Sequence, residues 1–163
     1  MTKPNNTTRI LGIDPGLNIT GYAVLDFARG SADIVEAGAF RTDSTGSLAD
    51  RISQIYDDLS ELIAELTPEV AAIEELYSHY KHPRTSILMG HARGVILLAC
   101  QQGGLDLQSI AATKVKKSLT GNGHASKEQV QMAVQSVFNL PEPPKPADVA
   151  DAIAIALCAG RIV

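Results

Sequence analysis

Four acids, Asp14, Glu74, Asp148 and Asp151, stand at the rims of apolar stretches in this chain. Asp14 closes Arg9-Ile10-Leu11-Gly12-Ile13 and Glu74 closes Val70-Ala71-Ala72-Ile73, while Asp148 and Asp151 open a run that continues Ala152-Ile153-Ala154-Ile155-Ala156-Leu157. An ionised carboxylate is rarely kept at the edge of a core unless it is paired or binds a metal. Two strand ends and a helix start can meet at one point, and carboxylates gathered there suit hard, oxygen-seeking cations such as Mg²⁺. Two such ions, roughly 3.5–4 Å apart, would serve phosphodiester hydrolysis by activating a water and stabilising the leaving oxygen. Each ion keeps waters and takes one or two carboxylates, so three or four acids suffice. Each acid also has a plain reading. Asp14-Pro15-Gly16 is good turn chemistry. Glu74 can be a solvated strand end, and acids in a first helical turn compensate the helix dipole. Asp148 and Asp151, at i and i+3, share one helix face, roughly 5–6 Å apart at Cβ.

The basic residues are unevenly spread. Net charge is −4, yet residues 79–127 hold seven Lys or Arg (Lys81, Arg84, Arg93, Lys114, Lys116, Lys117, Lys127) against one acid, Asp106. All four His fall in that segment too, and the rest of the chain carries seven basic and seventeen acidic residues. Such asymmetry can position a polyanion; it is equally what a solvated basic face looks like. Lys114, Lys116 and Lys117 precede the flexible Gly121-Asn122-Gly123 and suit non-specific phosphate contacts. Lys127 opens a helix, where the dipole disfavours a cation, which reads as a phosphate or transition-state contact or as a tolerated surface lysine. Tyr77, three residues after Glu74, is placed to stack on an unpaired base or to fold onto its own scaffold.

These residues need elements to hold them. The 163 residues, 45% apolar and 20% charged, are those of an ordinary globular protein of one domain, read as residues 9–163 after a polar prefix at 1–8. No apolar run reaches the length of a membrane span and the polar start lacks a signal-peptide pattern, so a cytoplasmic protein is expected. Cys100 and Cys158, in apolar helical stretches without C-x-x-C spacing, read as buried thiols. Strands are expected over 9–14, 18–27 and 32–42, the last two joined by Arg29-Gly30-Ser31. Ser47 reads as the N-cap of a helix over 48–66, which Thr67-Pro68 stops. A strand over 70–74, a loop over 75–84, a helix over about 85–102 and a strand over 105–110 follow. Then come a short helix over 113–119, a helix from the Ser126–Gln129 capping box to about 138, a Pro-rich linker and a final helix over about 147–160. This order predicts an α/β fold: a five-stranded mixed sheet, antiparallel meander then parallel strands, flanked by helices. The ribonuclease H-like fold has that order.

Taken in sequence, Ile10-Leu11-Gly12-Ile13-Asp14-Pro15-Gly16, Ala72-Ile73-Glu74, Gly90-His91-Ala92-Arg93-Gly94, Val115-Lys116, Gly121-Asn122-Gly123 and Ala147-Asp148-Val149-Ala150-Asp151-Ala152 resemble the RuvC Holliday-junction resolvases of bacteria. The resemblance runs from Arg9 to near the chain's end. It implies a homodimeric, Mg²⁺-dependent endonuclease (Mn²⁺ substituting) of ribonuclease H-like fold, nicking four-way DNA junctions symmetrically in recombination and repair and acting with RuvA and RuvB. It implies Asp14, Glu74, Asp148 and Asp151 as metal ligands and catalytic acids, with Lys127 beside them. Lys116 and Lys127 match the family's DNA-contacting lysines, and Tyr77 its stacking aromatic, standing where better-known members carry Phe; Arg93, Lys114 and Lys117, from the basic segment, are further candidate DNA contacts. The loop His79-Tyr80-Lys81-His82-Pro83-Arg84 departs from the family pattern, as do the polar prefix and the absence of a long basic tail.

Three other readings compete with this one. A ribonuclease H-like nuclease of RNA processing would share the first motif but not the Tyr77 loop or the lysine pattern. A junction-binding subunit without catalysis would show a degraded acid set, whereas here it is intact. An actin-like kinase would need a second lobe, for which 163 residues leave no room. The helix after Thr85, with Ile87, Leu88, Val95, Ile96, Leu97 and Leu98, is a candidate dimer contact, though core burial explains those residues equally.

Overall fold

A computed structural model describes residues 7–76 and 81–162. Strands β1 (Thr8–Asp14), β2 (Ile19–Ala28) and β3 (Ser31–Arg41) form the antiparallel meander. Helix α1 (Leu48–Leu66) crosses to β4 (Val70–Glu74), which lies parallel to β1, and α2 (Pro83–Gln102) crosses to β5 (Asp106–Ile110), parallel to β4. Helices α3 (Ala112–Thr120), α4 (Lys127–Val137) and α5 (Ala147–Gly160) complete the chain. The sheet order is β3-β2-β1-β4-β5. The expected mixed sheet is therefore the one observed. β1 begins one residue earlier than read, at Thr8, so the last residue of the polar prefix already belongs to the sheet. α2 begins at Pro83, because proline is welcome in a first helical turn where its missing N–H costs nothing.

Local chemistry sets the helix starts. The Ser47 hydroxyl accepts from the Asp50 N–H at 3.0 Å. Ser126 and Gln129 form the full capping box: the Ser126 Oγ accepts from Gln129 N–H at 3.1 Å, and the Gln129 Oε1 accepts from Ser126 N–H at 2.8 Å. Both caps are exposed, so each adds about 1 kcal/mol rather than deciding the fold.

The pleat distributes the core to two faces. Ile10, Ala23, Leu25, Val70, Ala72 and Ile110 pack with α3, α4 and α5. Leu11, Ile13, Val24, Ala71 and Ile73 pack with α1 and α2. Both cysteines are buried free thiols, as expected. In the candidate dimer helix, Ile96 is fully buried, and Leu88, Val95 and Leu97 pack partly against the core. Only Ile87 and Leu98, 62% and 49% exposed, keep a face open to solvent. No helix among the described residues is long and apolar enough to cross a membrane.

An ion pair that the sequence did not announce anchors the far end of β1. Arg9 and Asp26 are cross-strand partners, exposed by only 1% and 7%. The guanidinium donates from Nε and Nη2 to the two Asp26 oxygens, both at 2.7 Å, and from Nη1 to the Leu66 carbonyl at 2.8 Å. A buried charge in such a place is tolerable only because its donors are met in this way.

Candidate active site

Asp14 and Glu74 come together through two regularities. Along β1 every second residue, Ile10 then Gly12, faces α5, so Asp14 at the strand's end faces it too. Along β4, Val70 and Ala72 face the same way, and so does Glu74. Because β1 and β4 are parallel neighbours with Ile13 opposite Ile73, their last residues lie side by side. A sequence of alternating side chains thus becomes a pair of carboxylates on one face.

Helix α5 brings the third acid. It can settle onto β1 and β2 because Gly12 and Gly21 have no side chain: a Cβ on Gly12 would overlap the Ala152 carbonyl, and one on Gly21 the Asp148 carbonyl. That close seat lowers Asp151, in the first turns of α5, beside Asp14. Asp14, Glu74 and Asp151 then line one pocket of about 150 Å³, together with Lys116 of α3, Lys127 at the start of α4, and an apolar wall of Ala112, Val115, Val130 and Ile155. Asp148, a turn earlier, is not part of the pocket wall, but its charge is felt at both Asp14 and Asp151.

The electrostatics record the crowding. Burial pushes Asp14 up to about 8, and the neighbouring charges of Asp151, Glu74 and Asp148 push in the same direction against Lys127. Glu74 is raised by burial and by Asp151; Lys116, Lys127 and a hydrogen bond with the Asp14 carboxyl pull it back. Asp151 is raised by burial first, with Lys127 and Lys116 opposing. The chemistry of the pocket fits hard divalent cations: its acidic donors are carboxylate oxygens, with no thiol or imidazole among them. Among the described residues no three His, Cys, Asp or Glu groups are drawn closely enough to make an ion cage by themselves. Three carboxylates around an open pocket, repelling one another, are a site that a cation would tighten.

The remaining candidates separate. Lys114 and Lys117 are exposed on α3, outside the pocket. Arg93 turns inward, donating from Nη1 to the Glu74 carbonyl at 2.7 Å and from Nη2 to the Ser109 hydroxyl at 3.0 Å. Tyr77, with His79 and Tyr80, lies outside the described residues. The reading of the sequence missed the apolar wall. Ile155 was within reach of it, since four residues beyond Asp151 is the same helix face.

Comparison with known proteins gives the family and agrees with the fold. Residues 10–159 match the family described as "Crossover junction endodeoxyribonuclease RuvC". A protein of that description from Rhodopirellula baltica is 48% identical over 156 residues, covering 96% of this chain and 88% of its own. One from Caldicellulosiruptor saccharolyticus is 42% identical over 151 residues, covering 92% and 90%. The Thermus thermophilus RuvC structure superimposes with a TM-score of 0.84 at 30% identity, covering 95% of both chains. With the fold, the acid pocket and these relatives in agreement, the chain belongs to the RuvC family of crossover junction endodeoxyribonucleases.

Proposed function

We propose that the chain resolves four-way DNA junctions, hydrolysing phosphodiester bonds at the pocket formed by Asp14, Glu74 and Asp151, with Asp148 at its edge. The observation that carries the reading is the convergence of Asp14, Glu74 and Asp151 from two strand ends and a helix start, each with its carboxyl pKa raised. Family membership supports a nuclease, and a T. thermophilus RuvC described in complex with a Holliday junction substrate, TM-score 0.85 at 30% identity, supports the junction as substrate.

In this reading the acids hold two Mg²⁺ ions, with Mn²⁺ able to replace them. The chemistry such ions supply is activation of the attacking water and stabilisation of the leaving oxygen. The chain's own residues do the rest. Asp14, pushed up to about 8 by burial and its acidic neighbours, would be the ligand whose ionised form a bound cation's charge favours most. Lys116 and Lys127 place ammonium groups beside Glu74 and Asp151, where they meet the phosphate oxygens. The apolar wall keeps bulk water away from the carboxylates, which strengthens every charge interaction there.

A four-way junction has two strands to cut, and these acids form one such pocket per chain. We therefore read the active form as a homodimer, whose two-fold symmetry yields paired nicks. It would work in the cytoplasm with RuvA and RuvB, in recombination and repair. Incubation with a mobile four-way junction and Mg²⁺, with product ends mapped on all strands, tests the reading. Symmetric nicks on opposing strands are expected. Cleavage of structured RNA with the junction left intact would overturn it.

A further inference from the structure

Glu74 is the last residue of β4, at the point where the ladder to β1 has already ended with Ile13 opposite Ile73. Beyond it only the Glu75 N–H, donating to the Ile110 carbonyl at 3.0 Å, continues toward β5. Among the described residues the group that meets the Glu74 carbonyl is Arg93, which reaches it from α2 and holds the Ser109 hydroxyl of β5 with the same guanidinium. We propose that Arg93 is a positioning residue for the nuclease reaction: by tying the ends of β4 and β5 to α2, it fixes the backbone rotation that aims the Glu74 carboxylate into the pocket. This rests on the reading of Glu74 as a cation-holding acid, and it gives Arg93 a task other than contacting DNA.

The chemistry suits arginine in particular. The two acceptors lie on different strands and need two N–H groups held in one plane; a lysine offers one point charge on a flexible stem. Two of its five N–H groups are spent on the protein, one on each acceptor. A shift of Glu74 by a fraction of an ångström matters because the site must hold its reacting groups in near-attack geometry.

The test is Arg93→Lys, assayed three ways: junction affinity against salt, single-turnover cleavage at saturating enzyme, and calorimetric titration with Mn²⁺ in the absence of DNA. A positioning role predicts wild-type affinity and salt slope, cleavage slower by roughly 10- to 100-fold, and weaker Mn²⁺ binding. Wild-type cleavage and Mn²⁺ binding in Arg93→Lys would overturn the proposal. So would a salt slope shallower by about 0.9 in Arg93→Ala that lysine restores, since that is the mark of one phosphate contact. Should Arg93→Lys fail to fold, Ser109→Ala removes one anchor at an exposed position. It should raise the Mn²⁺ concentration needed for half-maximal cleavage, and an unchanged midpoint counts against the idea. Glu74→Gln separates the two levels. If it loses cleavage while Arg93→Lys does not, the positioning role alone fails; if it cleaves as the wild type does, the metal-site reading fails and takes this proposal with it.

Discussion

Replacing Asp14 or Asp151 by Asn keeps the side-chain shape and removes a carboxylate from a pocket where all three are raised by burial and by neighbouring acids. Junction cleavage should fall by several orders of magnitude in Mg²⁺, while junction binding persists or tightens, because a negative charge facing a polyanion is gone. Wild-type cleavage by Asp151→Asn would remove that residue from the site. The same residue carries a pH prediction. Asp14 titrates at about 8 in the fold against about 4 in the unfolded chain, so its protonated form favours the fold. That stabilisation is complete below about pH 4 and is lost as the pH rises toward about 8. In EDTA the melting temperature should therefore fall across this window, and the fall should be much smaller in Asp14→Asn. Equal slopes for the two proteins would count against it. At the other end of β1, Asp26→Ala would strand the Arg9 charge in the core, costing about 3–5 kcal/mol. At roughly 2–4 °C per kcal/mol, this is a melting-temperature loss of roughly 10 °C. It should leave cleavage by the folded protein unchanged, since the pair lies away from the pocket.

At the scale of elements, the pocket depends on how closely α5 approaches the sheet. Gly12→Ala or Gly21→Ala would drive a methyl group into helix backbone, which cannot yield as a flexible side chain would. Overpacking of this kind costs about 1–3 kcal/mol. The helix must slide or lift, carrying Asp151 away from Asp14. Single-turnover cleavage should then drop more steeply than the melting temperature, and a loss of stability with wild-type cleavage would show that the acids tolerate the shift. Much of this frame was legible beforehand. The apolar runs in 9–14 and 70–74, the Ser47 and Ser126 caps and helical spacing in 48–66 each act within a few residues, so local pattern suffices to read them. What escaped depends on register or reach. Arg9 and Asp26 are partners only because the hairpin places them opposite. The acceptors of Arg93 include a backbone carbonyl, which no side-chain pattern reveals. The i, i+3 spacing of Asp148 and Asp151 gives their shared face but not how deeply the helix start sits, so Asp148 falls at the pocket's edge rather than in its wall.

Across the whole molecule the charge is divided, and the division says how DNA must lie. Lys114 and Lys117 stand exposed on α3, Lys127 is exposed at the head of α4, and Lys116 reaches into the pocket between them. The acids outside the basic middle leave the rest of the chain strongly negative, so a polyanion is attracted to this side and repelled elsewhere. The lysines should then divide by role. On the proposed reading Lys114 and Lys117 contact phosphates, so Lys114→Ala and Lys117→Ala should each make the plot of log affinity against log salt shallower by about 0.9. Lys116→Ala should do the same and more. Its ammonium lowers the carboxyl pKa of Glu74 and Asp151, so its loss leaves both acids more readily protonated. Cleavage at saturating enzyme should therefore fall in Lys116→Ala, and most at low pH, where those acids take up protons first. Raising the pH should recover part of the loss. An unchanged salt slope together with an unchanged pH profile would return Lys116 to an ordinary solvated face.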